Sequence, residues 1–364
     1  MTVAPIRPAT KALMAILLSL LAVAIVVDMT RVEMSRAETV PSLPEPVTNN
    51  AIVALKSQGR EFLISFAGLG PGKGRGDTHA RTFVFDAGDD SWREAAPVPG
   101  VVGRLAATAI AVGELAYVFG GYSVAADGSE VSTPWLHAFD PVSGAFTELS
   151  PIPVPVDDAV AVAYLERYIY LVSGWHDFGN VNLVQRYDVV EDQWRQATPT
   201  PGRPVFGHAG GIVGNTIVYC DGVAIEPHES RQRDFVANAE CFAGIIDEEE
   251  TRRIDWREIK PHPGKPRYRM AAAGMTEKGG IVFIGGSDNP YNYDGMGYNG
   301  EPSSPVDDAL LFTVETNAWQ QIDVSGPATM DHRGLVLFEG GWVTVGGMGD
   351  DQQVTDDVNT YTFD

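Results

Sequence analysis

The segment RLAATAIAVGELAYVFGG, residues 104–121, is followed by a polar loop and then by WLHAFDPVSGAFTELSPIP, residues 135–153. The first segment has the pattern of two short apolar strands that turn at Gly113-Glu114 and end at Gly120-Gly121. The second has two more strands, joined by a turn at residues 140–144. Glycine pairs permit tight strand exits, and the Asp-Pro and Ser-Gly sequences favour turns. The stretch therefore predicts a four-stranded antiparallel meander.

The same unit recurs along the chain at a spacing of roughly 50 residues. An apolar strand that ends in glycine occurs at residues 61–70, 117–121, 168–174, 216–222, 281–286 and 342–347. An aromatic residue after a turn follows most of these strands, at Trp92, Phe146, Trp194, Trp256 and Trp319. The double glycine with a later tryptophan resembles the kelch repeat, and the resemblance covers nearly everything after residue 35. It predicts an all-β, six-bladed kelch-type β-propeller.

Composition limits the classes of function. The chain has 364 residues and a formal net charge of −22. A propeller uses such a length as one domain, here residues 31–364. Nucleic acids and anionic membrane surfaces require a basic face, so the acidic balance disfavours both as partners.

Residues 1–30 have the pattern of an export segment. Arg7 and Lys11 precede an uninterrupted small and apolar stretch at residues 12–27, which Asp28 ends. This pattern predicts a signal peptide or an N-terminal membrane anchor. The mature domain is then expected in the periplasm, either released or anchored to the inner membrane and facing the periplasm.

The two ends of the chain are complementary. Residues 35–47 resemble the fourth strand and exit of a blade, whereas the chain ends on a third strand that no fourth strand follows. We therefore expect the N-terminal strand to complete the last blade and remove a free sheet edge.

The two cysteines, Cys220 and Cys241, both fall in blade four. In an exported protein they can form a disulfide across the hairpin. Two buried thiols are the alternative, because free cysteine packs as a small hydrophobe.

Charged residues occur where the first strands begin. Counting sixteen positions back from the glycine pair gives Arg104, Arg269 and Asp157, whereas His208 and Arg333 lie thirteen back. Strand-one starts and the loops between strands two and three share one end of every blade. A ring of arginines and a histidine there suits an anionic ligand. The alternative is that each arginine pairs with carboxylates and joins the blades.

The loops at the same end carry side chains suited to sugar chemistry. Aromatic rings and amides suit sugar faces and hydroxyls, while Glu, His and Arg supply proton transfer and charge. The loops of blades three, four and five supply Trp175, His176, Glu226, His228, Glu229, Arg231, Arg233, Tyr291, Tyr293, Tyr298 and Asn299.

Within kelch propellers, the chain resembles the exported bacterial N-acetylneuraminate epimerases, which are sialic-acid mutarotases. The shared features are the export segment, the six blades, the Asn/Tyr-rich loop of blade five and the charged loop of blade four. That family carries Asn-Gly-Glu and a downstream arginine in the latter loop. Here the aligned residues are Asp221-Gly222-Val223, so the resemblance moves the glutamate to Glu226 or Glu229 and the arginine to Arg231 or Arg233.

These patterns predict a propeller that binds or acts on a carbohydrate, such as an acidic, sialic-acid-like sugar, through Glu226, Glu229 and His228 as catalytic groups. Mutarotation needs only an acid and a base, so no cofactor and no metal are expected. The alternative is a non-catalytic scaffold of the cell envelope that binds a protein partner.

Overall fold

Six four-stranded antiparallel sheets follow one another along the part of the chain that the computed structural model describes, residues 40–229 and 233–363. We number these sheets as blades one to six. Blade one comprises Ala51–Ser57, Arg60–Leu69, Thr78–Asp86 and Ser91–Ala95. Blade two comprises Thr108–Val112, Leu115–Phe119, Leu136–Asp140 and Ala145–Glu148, and blade three Val160–Tyr164, Tyr168–Val172, Val184–Asp188 and Gln193–Gln196. Blade four comprises Ala209–Val213, Thr216–Cys220, Cys241–Ile246 and Ile254–Ile259, and blade five Ala271–Met275, Gly280–Ile284, Ala309–Thr313 and Ala318–Ile322. Blade six comprises Val336–Phe338, Gly341–Val345 and Val358–Phe363, with Val324–Ser325 at its outer edge.

The blades form a closed ring. The first strands of blades one to five contact one another in order, and the first strand of blade six contacts that of blade one. The amide of Leu335, just before blade six, donates to the carbonyl of Ala272 in blade five. The loops between strands two and three carry short hairpins, at Tyr122–Val124 with Glu130–Ser132, Trp175–His176 with Gly179–Asn180, and Val223–Glu226 with Asp234–Ala237. Three 3-10 turns, Arg75–Asp77, Thr276–Lys278 and Asp350–Gln352, complete the regular structure of the described chain. The six-bladed propeller predicted from the repeat is confirmed.

The first strands are rich in alanine and glycine because they crowd around the axis of the ring. A Cβ atom on Gly211 of blade four would lie 2.6 Å from the amide nitrogen of Gly274 in blade five. A Cβ atom on Gly274 would lie 1.9 Å from the carbonyl oxygen of Ile212. Larger side chains at these two positions would push neighbouring blades apart.

The glycine pair and the tryptophan that define the repeat both join one blade to the next. A Cβ atom on Gly120 in blade two would lie 2.1 Å from the carbonyl oxygen of Val156, just before blade three. The indole of Trp194 in blade three donates a 2.8 Å hydrogen bond to the carbonyl of Ser150, just after the last strand of blade two. The tryptophans of blades four and five make the same backward bond. The sequence markers are therefore inter-blade contacts.

The N-terminal segment closes the ring through the same contacts. The indole of Trp92 donates a 2.7 Å hydrogen bond to the carbonyl of Pro41, so Pro41 stands where the exit of blade six belongs. The amides of Leu43 and Val47 donate to the carbonyls of Asp356 and Thr355, at 2.7 and 3.1 Å. The N-terminal segment contacts the last blade as predicted, but residues 40–47 form no strand, and the outer strand of blade six is Val324–Ser325 instead. Residues 35–39 lie outside the described residues. The short outer strand Val324–Ser325 was not predicted.

Cys220 and Cys241 are paired opposite each other in blade four and form a disulfide. Of the two alternatives that the sequence leaves open, the structure has the disulfide, and both residues are fully buried. The predicted signal peptide or anchor at residues 1–30 lies outside the described residues. Within residues 40–229 and 233–363, no helix is long and apolar enough to cross a membrane.

Candidate functional site

One residue per blade, two positions before the first strand, adopts a left-handed backbone conformation. These residues are Asn49, Ala106, Asp158, Gly207, Arg269 and, further ahead of its strand, Asp331, with φ between 49° and 72°. Their backbones are linked by hydrogen bonds around the axis, each amide donating to the carbonyl of the equivalent residue in the preceding blade. The series begins with the Ala106 amide, which donates to Asn49, and ends at the Arg269 carbonyl, which accepts from blade six. The Asn49 amide closes the ring by donating to Oδ2 of Asp331 at 3.0 Å. Side chains at this position therefore meet across the axis.

Two arginines and two aspartates form a buried cluster at the centre of this ring. Arg269 donates from Nη2 to Oδ2 of Asp158 at 2.6 Å and from Nη1 to Oδ1 of Asp331 at 2.8 Å. Arg333 places Nε 2.8 Å from Oδ1 of Asp158 and Nη1 3.2 Å from Oδ1 of Asp331. Burial alone would raise the pKa of Asp331, but the two arginines hold it below its usual value. The cluster is electrically balanced and links blades three, five and six.

The cluster lies between two cavities, both of which Asp158 lines. The larger, of about 320 Å³, is enclosed by the first strands of the six blades and is also lined by His208, His332 and Arg333. The smaller, of about 90 Å³, lies at the end where the loops between strands two and three gather. We call the smaller cavity the loop-side pocket. Its lining residues are Tyr122, Glu130, Asp157, Asp158, Trp175, Phe206, Arg233, Phe235, Arg269, Asn292, Tyr293 and Tyr298.

Aromatic rings from three blades form the wall of the loop-side pocket. Trp175 contacts Phe206 and Phe235 at centroid distances of 5.4 and 5.8 Å. Phe235 stacks on Tyr298 at 4.4 Å, which ties the hairpin of blade four to the loop of blade five. The guanidinium of Arg233 lies 4.7 Å from the Trp175 ring centroid and 5.5 Å from that of Phe235. The wall thus already holds one cation against its aromatic faces.

Two carboxyl groups line the pocket together with this aromatic wall. Asp157 is 4% exposed, and its Oδ2 accepts a 2.9 Å hydrogen bond from Ser132. Burial, with the neighbouring charge of Asp158, raises the pKa of Asp157 well above its ordinary value. Glu130 is an exposed residue at the rim of the pocket, and partial burial of its carboxyl group raises its pKa. Carboxyl groups with raised pKa values are the groups that transfer protons near neutral pH.

The structure brings five of the predicted binding residues together at this pocket, namely Trp175, Arg233, Arg269, Tyr293 and Tyr298. Tyr291 lies beneath it, fully buried, with its ring 5.4 Å from the Arg269 guanidinium. His208 and Arg333 line the larger cavity instead. The Nδ1 atom of His176 contacts the Pro155 carbonyl at 2.7 Å, and Asn299 accepts from the Glu301 amide.

The predicted catalytic groups of blade four lie away from the pocket. Glu226 is half-exposed and forms a 3.0 Å ion pair with Arg203. His228 and Glu229 are exposed, and none of the three lines either cavity. Arg231 lies outside the described residues. The blade-four hairpin therefore contributes Arg233 and Phe235 to the pocket, rather than its glutamates.

Arg104 corrects the counting rule used on the sequence. Its side chain is fully buried, donates to the Pro99 carbonyl at 3.0 Å and lines neither cavity. Leu105 bridges Tyr122, whereas Tyr268 bridges Ser287, so the interval is two residues longer in blade five. Counting sixteen residues back from the glycine pair therefore reaches non-equivalent positions in blades two and five. The residue of blade five that corresponds to Arg104 is Arg267. The prediction that Arg104 lies with Arg269 and Arg333 at the channel is wrong.

Several pocket residues carried no signal in the sequence. Glu130 lies in a polar loop whose hairpin partner was not predicted, and Tyr122, Phe206 and Phe235 are ordinary apolar positions there. Counting back from the glycine pair gives Asp157 but assigns it no function, and it does not give the adjacent Asp158. A count that began at the observed bridges would have found Asp157 and Phe206, because both pair with the residue after the strand-two exit.

Comparisons with known proteins support the fold. No protein-family model matches the chain. It is 23% identical over 255 residues to Kelch-like protein 15 of Danio rerio, covering 69% of this chain and 40% of that protein. It is 26% identical over 234 residues to Kelch domain-containing protein 3 of Bos taurus, covering 59% of this chain and 56% of that protein. The chain thus spans about half, or less, of the length of these curated relatives.

A solved structure, "Structure of YjhT", superimposes with a TM-score of 0.69 at 16% identity, covering 90% of this chain and 100% of that one. Together these likenesses identify the fold as a kelch-type propeller. The narrower resemblance to the sialic-acid mutarotases stays a hypothesis.

Proposed function

We propose that this propeller binds a monosaccharide in the loop-side pocket and catalyses its mutarotation. The observation that carries the proposal is the pair of carboxyl groups with raised pKa values, Asp157 and Glu130, which line the pocket together with an aromatic wall. The cavity, of about 90 Å³, is small enough to exclude anything larger than a single sugar ring. Aromatic faces and carboxylates are the groups that bind sugar rings and hydroxyls.

The chemistry needs one acid and one base. During mutarotation, the anomeric hydroxyl loses a proton, the ring oxygen gains one, and the ring C–O bond breaks before closing on the other face. Asp157 is the more deeply buried carboxyl and retains its proton to higher pH, so it serves as the acid toward the ring oxygen. Glu130 at the pocket rim accepts the proton from the anomeric hydroxyl. The balanced cluster beneath fixes Asp158 and keeps the floor of the pocket rigid.

Asp157 and Glu130 take the catalytic role here, and Glu226, Glu229 and His228 do not. An acidic sugar is also less favoured as the ligand, because its recognition depended on free arginines. Arg269 and Arg333 are both paired with Asp158 and Asp331, and Arg104 is elsewhere. If the ligand is a sialic-acid-like sugar, Arg233 is the cation that its carboxylate would meet.

We also propose export to an oxidising compartment, which in a bacterium is the periplasm. The disulfide between Cys220 and Cys241 supports this location, because such bonds persist outside the reducing cytosol. The charged and then apolar pattern of residues 1–30 supports it independently.

The test is the rate of anomer equilibration, followed by one-dimensional proton spectra of a freshly dissolved sugar. We expect the protein to accelerate it, and Glu130→Gln and Asp157→Asn to reduce kcat by about 10²-fold or more, the usual contribution of a general acid or base. Glu148→Gln, on the exposed outer strand of blade two, is the control. A loss in Glu229→Gln instead would return the role to the blade-four hairpin.

A protein-interaction scaffold is the second candidate, and exposed apolar side chains around the pocket favour it. Phe178 is 87% exposed, Val131 49% and Met296 39%, and they belong to the loops of blades three, two and five. Contiguous apolar patches mark protein-binding surfaces, and these three side chains lie on loops at the same end of the ring. Equal equilibration rates with and without the protein, for neutral, acidic and basic sugars, would leave this reading in place of catalysis.

A further inference from the structure

The hydroxyl of Ser132 contacts the carboxyl group that is proposed as the acid. Ser132 ends the short strand Glu130–Ser132 in the hairpin of blade two and is 5% exposed. Its Oγ atom donates a 2.9 Å hydrogen bond to Oδ2 of Asp157. Because Asp157 precedes blade three, this hydrogen bond crosses from one blade to the next.

The backbone of Asp177 fixes the direction of this hydrogen bond. The amide of Asp177 donates to Oγ of Ser132 at 3.2 Å, and an amide nitrogen can only donate. The hydroxyl hydrogen must therefore go to another acceptor, and Oδ2 of Asp157 is the acceptor that it contacts within the described chain. The reverse arrangement, with Asp157 donating to Ser132, would leave the hydroxyl hydrogen buried without a partner.

A second hydrogen bond holds Asp177 in position. Its Oδ1 atom accepts from the Ser132 amide at 2.9 Å, so the two residues bond to each other reciprocally. Asp177 has a φ of 34°, in a region of the backbone map that aspartate enters more readily than most residues. It lies in the turn between Trp175–His176 and Gly179–Asn180. The reciprocal pair thus joins the hairpin that carries Glu130 to the hairpin that carries Trp175.

The two carboxyl oxygens of Asp157 are consequently not equivalent. Oδ2 accepts from Ser132, whereas Oδ1 has no hydrogen-bond partner within the described chain. Oδ1 also remains accessible at the pocket. A protonated carboxyl group carries its hydrogen on one oxygen. Because Oδ2 is already an acceptor, the proton of Asp157 resides on Oδ1, where a ligand can receive it.

We propose that Ser132 is a positioning residue, which keeps the proton of Asp157 on Oδ1 and directed at the ring oxygen of the bound sugar. This inference rests on the proposed function for the role of Asp157 as the acid. The same hydroxyl stabilises the carboxylate that remains after the proton has left, because it donates to Oδ2 in both forms.

The charged groups around Asp157 act on its pKa without bonding to it. Burial raises the pKa of Asp157, Asp158 and Glu130 raise it further, and Arg269 lowers it. The Ser132 hydroxyl lowers this pKa through its hydrogen bond, so a variant without the hydroxyl should have a still higher pKa at Asp157. The remaining titratable groups of the pocket, none of which bonds to Asp157 within the described chain, are Tyr122, Arg233, Tyr293 and Tyr298.

Threonine and valine at position 132 separate the hydroxyl from packing, because the two side chains have nearly the same shape. Ser132→Val should raise the pKa of Asp157 by about one pH unit, the effect of one hydrogen bond to a charged group, and Ser132→Thr should not. The measurement is an NMR titration of the labelled carboxyl carbon of Asp157, assigned with Asp157→Asn. Ser132→Ala, which adds no atoms, gives the same comparison if the larger side chains do not fit.

Ser129→Ala is the matched control for these variants. The Ser129 hydroxyl also donates to an aspartate, Asp127, in the exposed turn of the same hairpin. Its loss should leave both the pKa of Asp157 and the rate of mutarotation unchanged.

The pH dependence of mutarotation is the second measurement. We expect kcat/KM to fall at high pH as Asp157 ionises, and this fall should move to higher pH in Ser132→Val and Ser132→Ala. Below it, kcat should drop by about ten- to a hundredfold, because a misdirected acid transfers its proton poorly. A merely structural role would lower the rate at every pH without moving the fall.

An unchanged pKa of Asp157 in the variants without the hydroxyl would overturn the inference, even if the protein accelerates mutarotation. The expected pKa changes without acceleration of any sugar would support the placement of the proton and overturn the proposed catalysis alone.

Discussion

At the scale of single residues, the raised pKa that suits Asp157 to its proposed role as an acid also lowers the stability of the native state at neutral pH. The native state raises its pKa, so the folded protein holds this proton to higher pH than the unfolded chain does. Below the unfolded value, near pH 4, both states are protonated and the residue costs nothing. As the pH rises above that value, the unfolded chain ionises first and the native state is progressively destabilised.

Asp157→Asn should therefore stabilise the protein at pH 7 and not at pH 3.5. Asparagine keeps an oxygen to accept from the Ser132 hydroxyl but cannot ionise. The measurement is the free energy of unfolding in urea at the two pH values, with the unaltered protein beside it. A gain of the same size at both values would mean that the substitution acts by packing and not through ionisation.

How far the sequence predicts the site depends on what each residue contacts. Trp175, Arg233 and Arg269 were predicted correctly as neighbours, because strand direction alone gathers strand starts and loops at one end. Whether Arg269 binds a ligand or joins blades depends on Asp158 and Asp331, from two other blades. Local pattern carries no information about partners so distant in sequence. The same holds for Glu130, whose importance depends on an aromatic wall built by other blades.

At the scale of elements, blades two and five each bury an arginine at an equivalent position but surround its guanidinium with different groups. Arg267 in blade five is buried and donates to Asp308 at 2.6 Å. In blade two, the corresponding Arg104 has Trp135 at the place of Asp308, with the guanidinium 5.9 Å from the ring centroid. Burial lowers the pKa of Arg104 to about 10, with no carboxylate to oppose the shift. One arginine is thus charge-paired and the other rests on an aromatic face.

Replacing each arginine by methionine should separate the two arrangements. Arg267→Met breaks an ion pair and should cost about 3 kcal/mol, near the lower end for buried pairs because Asp308 is a quarter exposed. Arg104→Met removes an unpaired buried cation and keeps the apolar stem, so it should cost less than about 1 kcal/mol or stabilise the fold. Urea unfolding of the two variants measures the difference. Equal costs would show that Arg104 has a compensating anion.

The repeat markers predicted the blades because each marker makes the same contact in successive blades. The glycine pair lets the end of strand two lie against a backbone carbonyl just before the next blade. The tryptophan donates a hydrogen bond to a backbone carbonyl of the preceding blade. Elements that do not repeat were missed, including the outer strand Val324–Ser325 and the hairpin that carries Glu130. The turn between strands one and two also varies in length, which misplaced Arg104.

At the scale of the whole molecule, the ring is held by contacts between residues far apart in sequence. The central cluster joins blades three, five and six, and Asn49 connects blade one to it through Asp331. The segment before the first strand closes the circle at the rim. Leu43 and Val47 are 3% and 0% exposed, although they precede every strand of the propeller. A ring of this kind should unfold as one unit, because opening any blade exposes two interfaces.

Leu43→Ala tests this closure with a single side chain. Removing a buried leucine leaves a cavity at the joint between blade six and the chain start, which should cost about 3 kcal/mol. Leu165→Ala, at a position 63% exposed in a turn of blade three, is the matched control and should change stability by less than about 0.5 kcal/mol. Both are measured by urea unfolding of the chain without residues 1–30, which should fold normally. If the two leucines prove equally dispensable, residues 40–47 rest on a ring that closes without them.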